Sequence, residues 1–501
     1  MKKQKEIKKK NIKKIDWKKG FIAAYALIAS SIIVVLLTGL FVFVAGSHQR
    51  SMEGIYEQQA LQFAESGVYF YKWYLAHNLD GKNSQQIKNF WESGVAYGLN
   101  ETYEKEVTNE IGEVIGVYEL DVSIPSAYST IVTVESVGWT AQHPEIKRSV
   151  RVRFRRPSWS EFSVLGNDIM RFGADTNIFG PVHSNNGIRF DGVANNLISS
   201  SVETYWDPDT SSVKPGVWTS ESNEDEVFLA GYDFPLAAVD FNGVTTDLVL
   251  MRDEAQSSGI YLDDSYEEED CRWRFGRHWC GGRFWCEICE TETFEAEGYH
   301  VILRTDDTVE IRMVTDFQGD GMHEPKTYKI QKESDPTVYA IPANGLIFAK
   351  GHVWVEGQID SAYVTIVAAD LDSSATKNVY INDNILYTNK DGQDIIGLVA
   401  ENDVSIGLFS ANDLEIDAAI LAKDGRVGRD YYTESHSQAF SKRDKITVFG
   451  SIATNQRYGF AWTDGTGYQI RNLYFDNNLL YIPPPFFPTG TTYEMDLWED
   501  L

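Results

Sequence analysis

Beyond its first twenty residues, this chain of 501 residues has little positive charge to offset its acids. The whole sequence carries a formal net charge of −28, but residues 1–20 hold ten lysines against Glu6 and Asp16, so residues 21–501 carry −36. A field of that sign repels phosphate backbones, which argues against nucleic acid as a partner of the main body. The length predicts two or three domains.

Residues 21–46 lack formal charge altogether. As a helix rising 1.5 Å per residue, this run would be about 39 Å long, enough to cross a bilayer. The apolar part of a cleaved secretory signal is shorter, about 7 to 15 residues. Lysines precede the run and only Arg50 follows it closely, so we expect a cytoplasmic leader at 1–20, a single-pass membrane helix and an extracytoplasmic remainder.

Apolar residues continue after this run at steps of mostly three and four: Ala60, Phe63, Ala64, Val68, Tyr71 and Leu75. This spacing is typical of a helix with one buried face. We therefore predict one transmembrane and stalk helix over residues 21–78. The simpler interpretation is an anchor with a stalk, and the sharper one is an assembly helix that packs against copies of itself or its relatives.

Cysteine is also scarce, and its four occurrences lie within nineteen residues: Cys271, Cys280, Cys286 and Cys289. An even, clustered set in an exported domain favours two disulfides with three possible connectivities. Two alternatives stay open. The two-residue gap of Cys286 and Cys289 is also that of a zinc knuckle, which His278 could complete, and the thiols could instead be free or redox-active.

Aromatic residues and arginines alternate in this cysteine segment, which includes Trp273, Trp279 and Trp285. Such a set can contact a sugar or a single nucleic-acid strand. The plainer interpretation is a stapled hairpin whose aromatics form a small local core. Acidic runs precede the segment, so residues 263–297 are predicted to be an insertion in a larger scaffold.

Between residues 112 and 157 the hydrophobic pattern has period two and predicts three strands in a small α/β region over 79–157. In the last strand Arg151, Arg153 and Arg155 share one face. That face could bind a phosphate or a partner, but a solvated face opposite an acidic neighbouring domain is the simpler interpretation.

In the second half of the chain, pairs of aliphatic residues repeatedly flank one other residue, and no amphipathic helix of useful length intervenes between these units. Short strands with tight polar turns predict a mainly β protein whose ectodomain, residues 158–501, is a parallel β-helix, with a β-sandwich as the alternative. Six such units carry this prediction: residues 353–355, 364–366, 379–381, 404–406, 414–416 and 446–448.

Catalytic patterns are weak. Ser184 follows His183, but adjacency in sequence does not place a nucleophile for proton transfer, and no third partner is evident. The stretch from Asp316 to Asp320 resembles a calcium loop only in part, because its twelfth position is Thr327 instead of glutamate. We expect no enzyme activity, no cofactor and no metal.

The N-terminal residues resemble those of PilX-type minor pilins and pseudopilins. The likeness rests on the junction of Lys19, Gly20 and Phe21, the apolar span, and residues 58–60 and 64–67. It implies that a prepilin peptidase cuts after Gly20 and methylates Phe21, and that other pilin subunits are partners. Pilins usually carry glutamate at the fifth position after the cut, whereas this chain has Tyr25, which favours a tip or initiator role over that of a major pilin.

A second resemblance covers most of the remaining chain. Segments at 180–192, 344–359, 397–406, 413–425 and 474–488 are similar to the β-helix ectodomain that accompanies PilX-type N-termini in bacterial surface proteins. That likeness implies a structural, assembly or display role with no catalytic residues. The alternatives are an anchored adhesin or carbohydrate-binding protein with a surface glycan or protein ligand, and, less favoured, a tethered polysaccharide-cleaving enzyme.

Overall fold

A computed structural model of the chain describes residues 17–82, 84–123, 130–241, 244–275, 285–319, 325–490 and 492–501. Its helices are α1 Trp17–Leu79, α2 Ser84–Glu92, α3 Glu224–Val227 and α4 Val244–Ser258. The first strands are β1 Tyr103–Thr108, β2 Val114–Ser123, β3 Ile131–Thr140, β4 His143–Arg155, β5 Val164–Gly166, β6 Met170–Phe172, β7 Thr176–Phe179, β8 Val182–Ser184, β9 Ile188–Phe190, β10 Val193–Ala194, β11 Ile198–Ser200, β12 Thr204–Asp207, β13 Ser212–Pro215, β14 Val217–Trp218 and β15 Tyr232–Asp233.

The remaining strands follow α4. They are β16 Ile260–Leu262, β17 Ser265–Phe275, β18 Trp285–Glu295, β19 Gly298–Leu303, β20 Thr308–Phe317, β21 Ile330–Glu333, β22 Thr337–Ala340, β23 Leu346–Ala349, β24 His352–Ile359, β25 Tyr363–Ala368, β26 Val379–Ile381, β27 Ile385–Tyr387, β28 Ile395–Ala400, β29 Val404–Ile406, β30 Asp413–Ala422, β31 Val427–Arg429, β32 Lys442–Thr454, β33 Gly467–Phe475 and β34 Glu494–Asp500.

A small antiparallel sheet with strand order β1-β2-β3-β4-β34 packs against α1. Alternate residues of β3 are buried, as the period-two pattern predicts, because one face of the sheet lies on the helix. The three strands predicted between residues 112 and 157 are thus confirmed as β2, β3 and β4. Trp91 in α2 closes the core by donating a hydrogen bond to the Tyr493 hydroxyl, 3.0 Å away.

The segment from β5 to β33 and the tail that follows it form a large second part of the chain, called the body below. The predicted ectodomain boundary is wrong at the C-terminal end, because β34 lies outside the body and pairs with β4 in the small sheet. Glu494 lies opposite Arg155 in this pairing, so the long segment between them is an insertion into the small sheet. The two connecting segments run side by side. Trp159 N donates to Pro488 O at 3.1 Å, and Gly490 N donates to Pro157 O at 2.7 Å.

The arginine face of β4 is answered by acids from this last strand. Arg153 lies 2.9 Å from Asp496, and Arg151 contacts both Glu135 at 3.2 Å and Glu499 at 3.6 Å. The predicted acidic neighbouring domain is therefore corrected: these acids lie in strands of the same sheet, mainly in its C-terminal strand β34.

The body is built mainly from parallel strand pairs. One ladder runs through ten strands in the order β16-β23-β25-β28-β30-β32-β5-β8-β11-β15. A second runs β24-β27-β30-β32-β33-β7-β10, and a third runs β19-β24-β26-β29-β31. All six units predicted from the sequence lie in these strands, and their parallel pairing differs from the antiparallel sheets of a β-sandwich.

The chain enters the long ladder in its middle, at β5, and proceeds outward to β15. It then returns through α4 to the opposite end at β16 and fills the ladder inward until β32 meets β5, where Ile452 lies opposite Val164. Consequently, strands nearly 300 residues apart in sequence are neighbours at the centre of the body.

The long ladder is buried on both faces, which explains its nearly continuous apolar strands. Val164 and Ile347 point into the main core, whereas Leu165 and Phe348 point outward into a second core. That second core is covered by α4, through Leu248, Met251 and Ala255, and by the C-terminal tail, through Leu479 and Phe487. The spacing of those three residues in α4, at steps of three and four, is helical and is visible in the sequence.

Candidate assembly helix and projecting hairpin

The first half of α1 presents an uncovered apolar surface. The large apolar side chains from Phe21 to Val44 are between 54% and 74% exposed, and the helix contains an 18-residue window of mean hydropathy 2.8 with none of its residues buried. By length and composition this helix can cross a membrane. The surface is the candidate site for contact with lipid or with other helices.

The second half of the same helix is seated on the small sheet. Ala60, Ala64, Val68, Tyr71 and Leu75 are all fully buried, at steps of four, four, three and four residues. Burial raises the pKa of the Tyr71 hydroxyl well above its usual value, and neighbouring Tyr74 and Tyr493 add to the effect. The helix therefore has a fixed half and a bare half with no break between them.

The predicted processing residues Gly20 and Phe21 both lie within α1, close to its start at Trp17. Phe21 is 58% exposed and Tyr25 is 67% exposed, and their ring centroids are 6.3 Å apart. The position where pilins usually carry a glutamate is thus a neutral aromatic side chain on the same bare surface. It offers no carboxylate to a terminal amine.

The C-terminal strand contributes to the seat of α1, which sequence reasoning missed. Trp498 in β34 lies 6.1 Å from the ring of Tyr69 in α1, and Tyr493 receives the hydrogen bond from Trp91. Alternation of Met495 and Leu497 with acidic residues was a signal for this strand, but it is only seven residues long and follows a proline-rich tail.

The cysteine segment forms an antiparallel hairpin of β17 and β18, separate from the parallel ladders. Its register places Cys271 directly opposite Cys289, while Trp273 lies opposite Glu287 and Trp285 opposite Phe275. Opposed residues of an antiparallel pair have Cα atoms about 4.5 to 5.5 Å apart, within the range a disulfide spans. Trp279 and Cys280 lie outside the described residues, so the disulfide and ligand-contact predictions both stay predictions.

The weak catalytic candidates do not form a catalytic arrangement in the described part of the chain. Ser184 Oγ donates to the backbone oxygen of Asp168 at 2.8 Å, while the His183 ring contacts Ser199 at 3.0 Å and Ser201 at 3.1 Å. Burial lowers the pKa of His183. Asp316 lies at the end of β20 opposite Lys332, and Asp320 falls outside the described residues.

No protein-family model matches the chain, and no curated protein is significantly similar to it. Among solved structures, the chain is similar to the competence-associated pilin ComZ from Thermus thermophilus. The two are 14% identical, the match covers 89% of this chain and 97% of that one, and the TM-score is 0.29.

Proposed function

We propose that the protein is a minor pilin or pseudopilin-like subunit of a type IV pilus-related system, of the PilX type, with a structural, assembly or display role. The observation that carries the proposal is the division of α1 into a bare apolar half and a half buried on an antiparallel sheet. Bare apolar surface of this extent needs either lipid or other helices to cover it.

In the membrane, lipid covers the bare half of α1, and in a fibre the helices of neighbouring subunits cover it. Residues 21–44 as a helix are about 36 Å long, close to the hydrocarbon thickness plus its margins. The lysine-rich residues 1–20 hold the N-terminus in the cytoplasm, so the body lies outside the cell membrane. Removal of those lysines by a prepilin peptidase after Gly20 leaves an uncharged helix that can leave the bilayer and pack into a fibre.

Tyr25 bears on the position within such a fibre. A terminal amine buried among helices is costly unless a carboxylate compensates it, and this chain has no carboxylate at that position. A subunit at the tip has no need to compensate the amine of a subunit beyond it. The proposal therefore places this protein at the tip, where it initiates assembly and displays its body outward.

In the body, the three parallel ladders form the faces of a β-helix that acts as a rigid display platform. Parallel pairing between strands one turn apart is the hydrogen-bonding pattern of such a solenoid. The role is not enzymatic. An anchored adhesin that never enters a fibre is the competing function, and it shares the anchor and the display surface.

The test is co-expression of the full chain with a prepilin peptidase, followed by mass spectrometry of the N-terminus. We expect loss of residues 1–20 and a methylated Phe21. Gly20→Leu provides the matched control, because it changes only the cleavage junction and leaves the helix and body intact. Finding the uncut leader in both the native chain and the control contradicts the proposal.

A second measurement separates a fibre subunit from a permanent anchor. A photo-crosslinking residue placed at Leu36, on the bare half of α1, is expected to link the mature protein to other pilin subunits. The same label at Tyr69, on the seated half, serves as the comparison. Exclusive crosslinking of position 36 to lipid in cells that assemble pili supports the adhesin instead.

A further inference from the structure

A cleft of about 730 Å³ opens where the two ends of the inserted body meet. One side comes from the loops around β6 and β7 and the other from the loop between β32 and β33. Strands β33 and β7 pair, so that Arg471 lies opposite Thr176. The volume falls within the range of about 300 to 1,000 Å³ that is usual for ligand sites. The cleft lies outside both the assembly helix and the cysteine hairpin.

Arg471 forms the floor of this cleft and is held rigidly. It is 8% exposed, and its guanidinium donates to Thr176 Oγ1 at 3.1 Å, Tyr468 O at 2.7 Å and Gln469 O at 3.1 Å. Its nearest carboxylate is that of Asp175, 3.8 Å away, and the Asp175 side chain is 75% exposed. A partly buried positive charge with only a distant, solvated counter-ion favours an anionic group in the cleft.

One wall has two arginines for one carboxylate. Arg171 lies 2.8 Å and Arg457 lies 3.2 Å from the same oxygen of Asp209. Partial burial opposes ionisation of Asp209, but Arg457 and Arg171 outweigh it and hold the pKa of the carboxyl below its usual value. One of the two guanidinium groups is therefore left without a full counter-charge, and its N–H groups can donate to a ligand carboxylate. Arginine binds carboxylates most strongly through two parallel hydrogen bonds.

The other wall is an aromatic platform. Trp462 is 38% exposed, its ring centroid lies 5.1 Å from that of Tyr431, and the Arg426 guanidinium lies 5.4 Å above it. Asp464 fixes the loop, because it accepts hydrogen bonds from Thr466 and from the Tyr431 hydroxyl at 2.7 Å. An exposed, rigid indole is suited to stack on the apolar face of a sugar ring.

The charge of the cleft is the reverse of its surroundings. Its lining has four arginines, Arg171, Arg426, Arg457 and Arg471, against three aspartates, Asp168, Asp175 and Asp209, whereas residues 21–501 carry −36. A polyphosphate chain would be repelled by that wider field over a Debye length of about 8 Å, but a short sugar with a single carboxylate at the cleft would not.

We propose that this cleft binds a short oligosaccharide that carries one uronic-acid-type sugar unit, with a single carboxylate. A pyranose ring stacks on Trp462, and its carboxylate is bound by Arg457 and Arg171. The site is distinct from Trp273, Trp279 and Trp285 of the hairpin, and it does not depend on whether the protein enters a fibre.

Isothermal titration of the full chain in detergent micelles tests this site. The probes are disaccharides with one acidic unit, which is glucuronate, galacturonate, mannuronate or guluronate, each paired with its methyl ester, which removes the charge and adds one methyl group. We expect at least one acidic probe to bind and its ester to bind about tenfold more weakly or worse. This comparison uses the unaltered protein and so does not depend on how a variant folds.

Two variants locate the site. Trp462→Ala and Arg457→Gln are each expected to weaken the same acidic probe by about tenfold, and Arg457→Gln leaves the Arg171 and Asp209 pair in place. Trp73→Ala is the matched control, because Trp73 is 53% exposed on α1, in the other domain. Far-ultraviolet circular dichroism checks that each variant is folded.

Three results overturn the proposal. The first is that none of the acidic probes binds. The second is equal binding of an acid and its ester, which removes the role of the arginines. The third is binding of a single-stranded oligonucleotide that Trp462→Ala abolishes, which would make the cleft a nucleic-acid site.

Discussion

Gly138→Ala is expected to separate α1 from the sheet that holds it. Gly138 lies on the buried face of β3, directly beneath the helix. An added Cβ would lie well inside van der Waals contact of Ala64 N and Ala60 O, and 2.8 Å from Phe63 C. All three are backbone atoms of the helix, so no side chain can rotate to make room.

The expected loss of stability follows from the contacts that the helix loses when it shifts. Ala60 and Ala64 are fully buried and sit at the closest approach of helix and sheet, and shifting them also loosens Val68 and Tyr71. Overpacking of this kind lowers the free energy of unfolding by about 1 to 3 kcal/mol, and because the clash is between two backbones the loss should be about 3 kcal/mol. At about 1.4 kcal/mol per tenfold change, exchange from β3 should be about 100-fold faster.

Hydrogen exchange with mass spectrometry on the full chain in detergent measures this directly, through peptides that cover residues 131–140. Gly54→Ala is the control, because a Cβ there meets nothing within 4 Å and alanine favours a helix by about 1 kcal/mol. Peptides from β25 and β28 report any change in the body, and their hydrogen exchange should stay the same.

Unchanged exchange of residues 131–140 in Gly138→Ala would refute the reasoning, since it would mean that helix and sheet are not in the close contact that the burial of Ala60 and Ala64 indicates. Faster exchange in β25 and β28 as well would contradict the separation of the small sheet from the body.

Three further predictions concern the insertion, its pH dependence and the hairpin. Replacing residues 157–491 by an Asn-Gly turn should leave α1 and the small sheet folded, because Arg155 and Glu494 are already opposite each other, and residues 131–140 should keep slow exchange. Burial and then Lys377 lower the pKa of His352 to about 4 from 6.5, and its Nδ1 accepts from Asn378 N at 3.0 Å, so it is neutral in the native state. Below pH 6.5 the His352 imidazole is protonated in the unfolded chain but not in the native one, so the free energy of unfolding falls by up to about 3 kcal/mol as the pH drops from 6.5 to 4. Above pH 6.5 this contribution to stability is fully present. Urea titrations should find a smaller loss in His352→Gln. Peptide mapping without reductant should recover Cys271 linked to Cys289, as their register favours, and recovery of any other partner for Cys271 excludes that pairing.

Local patterns predicted the elements whose residues carry their own signal. The uncharged run and the spacing from Ala60 to Leu75 predicted α1 to within a few residues, because a helix exposes one face at a fixed period. Alternation predicted β2, β3 and β4 for the same reason, with a period of two. The six aliphatic units predicted strands of the body because a strand buried on both faces must be apolar almost throughout.

The pairing of strands that are far apart in the chain could not be predicted from comparable patterns in the sequence. The meeting of Ile452 with Val164 joins strands that are each only locally apolar, and nothing in either segment specifies its partner. The return of β34 to β4 is equally silent in the sequence, although the arginines of β4 and the acids of β34 are complementary. The cleft depends on the pairing of the two ends of the insertion, because Arg471 and Arg171, which line it, come from opposite ends.

The insertion explains how a large body and a bare helix can coexist in one chain. Both connections leave the small sheet at one place, between β4 and β34. Further contacts between the two parts include the ion pairs of Lys88 in α2 with Glu254 in α4 and of Arg155 with Glu161, and the Arg153 guanidinium lies 5.2 Å from the Tyr481 ring centroid. The apolar half of α1 ends well before Ala60, where the seat begins, so this half takes no part in holding the body. A change in the body should therefore leave the bare apolar half of α1 intact, and under the proposed function the body could vary without altering the surface through which the subunit assembles.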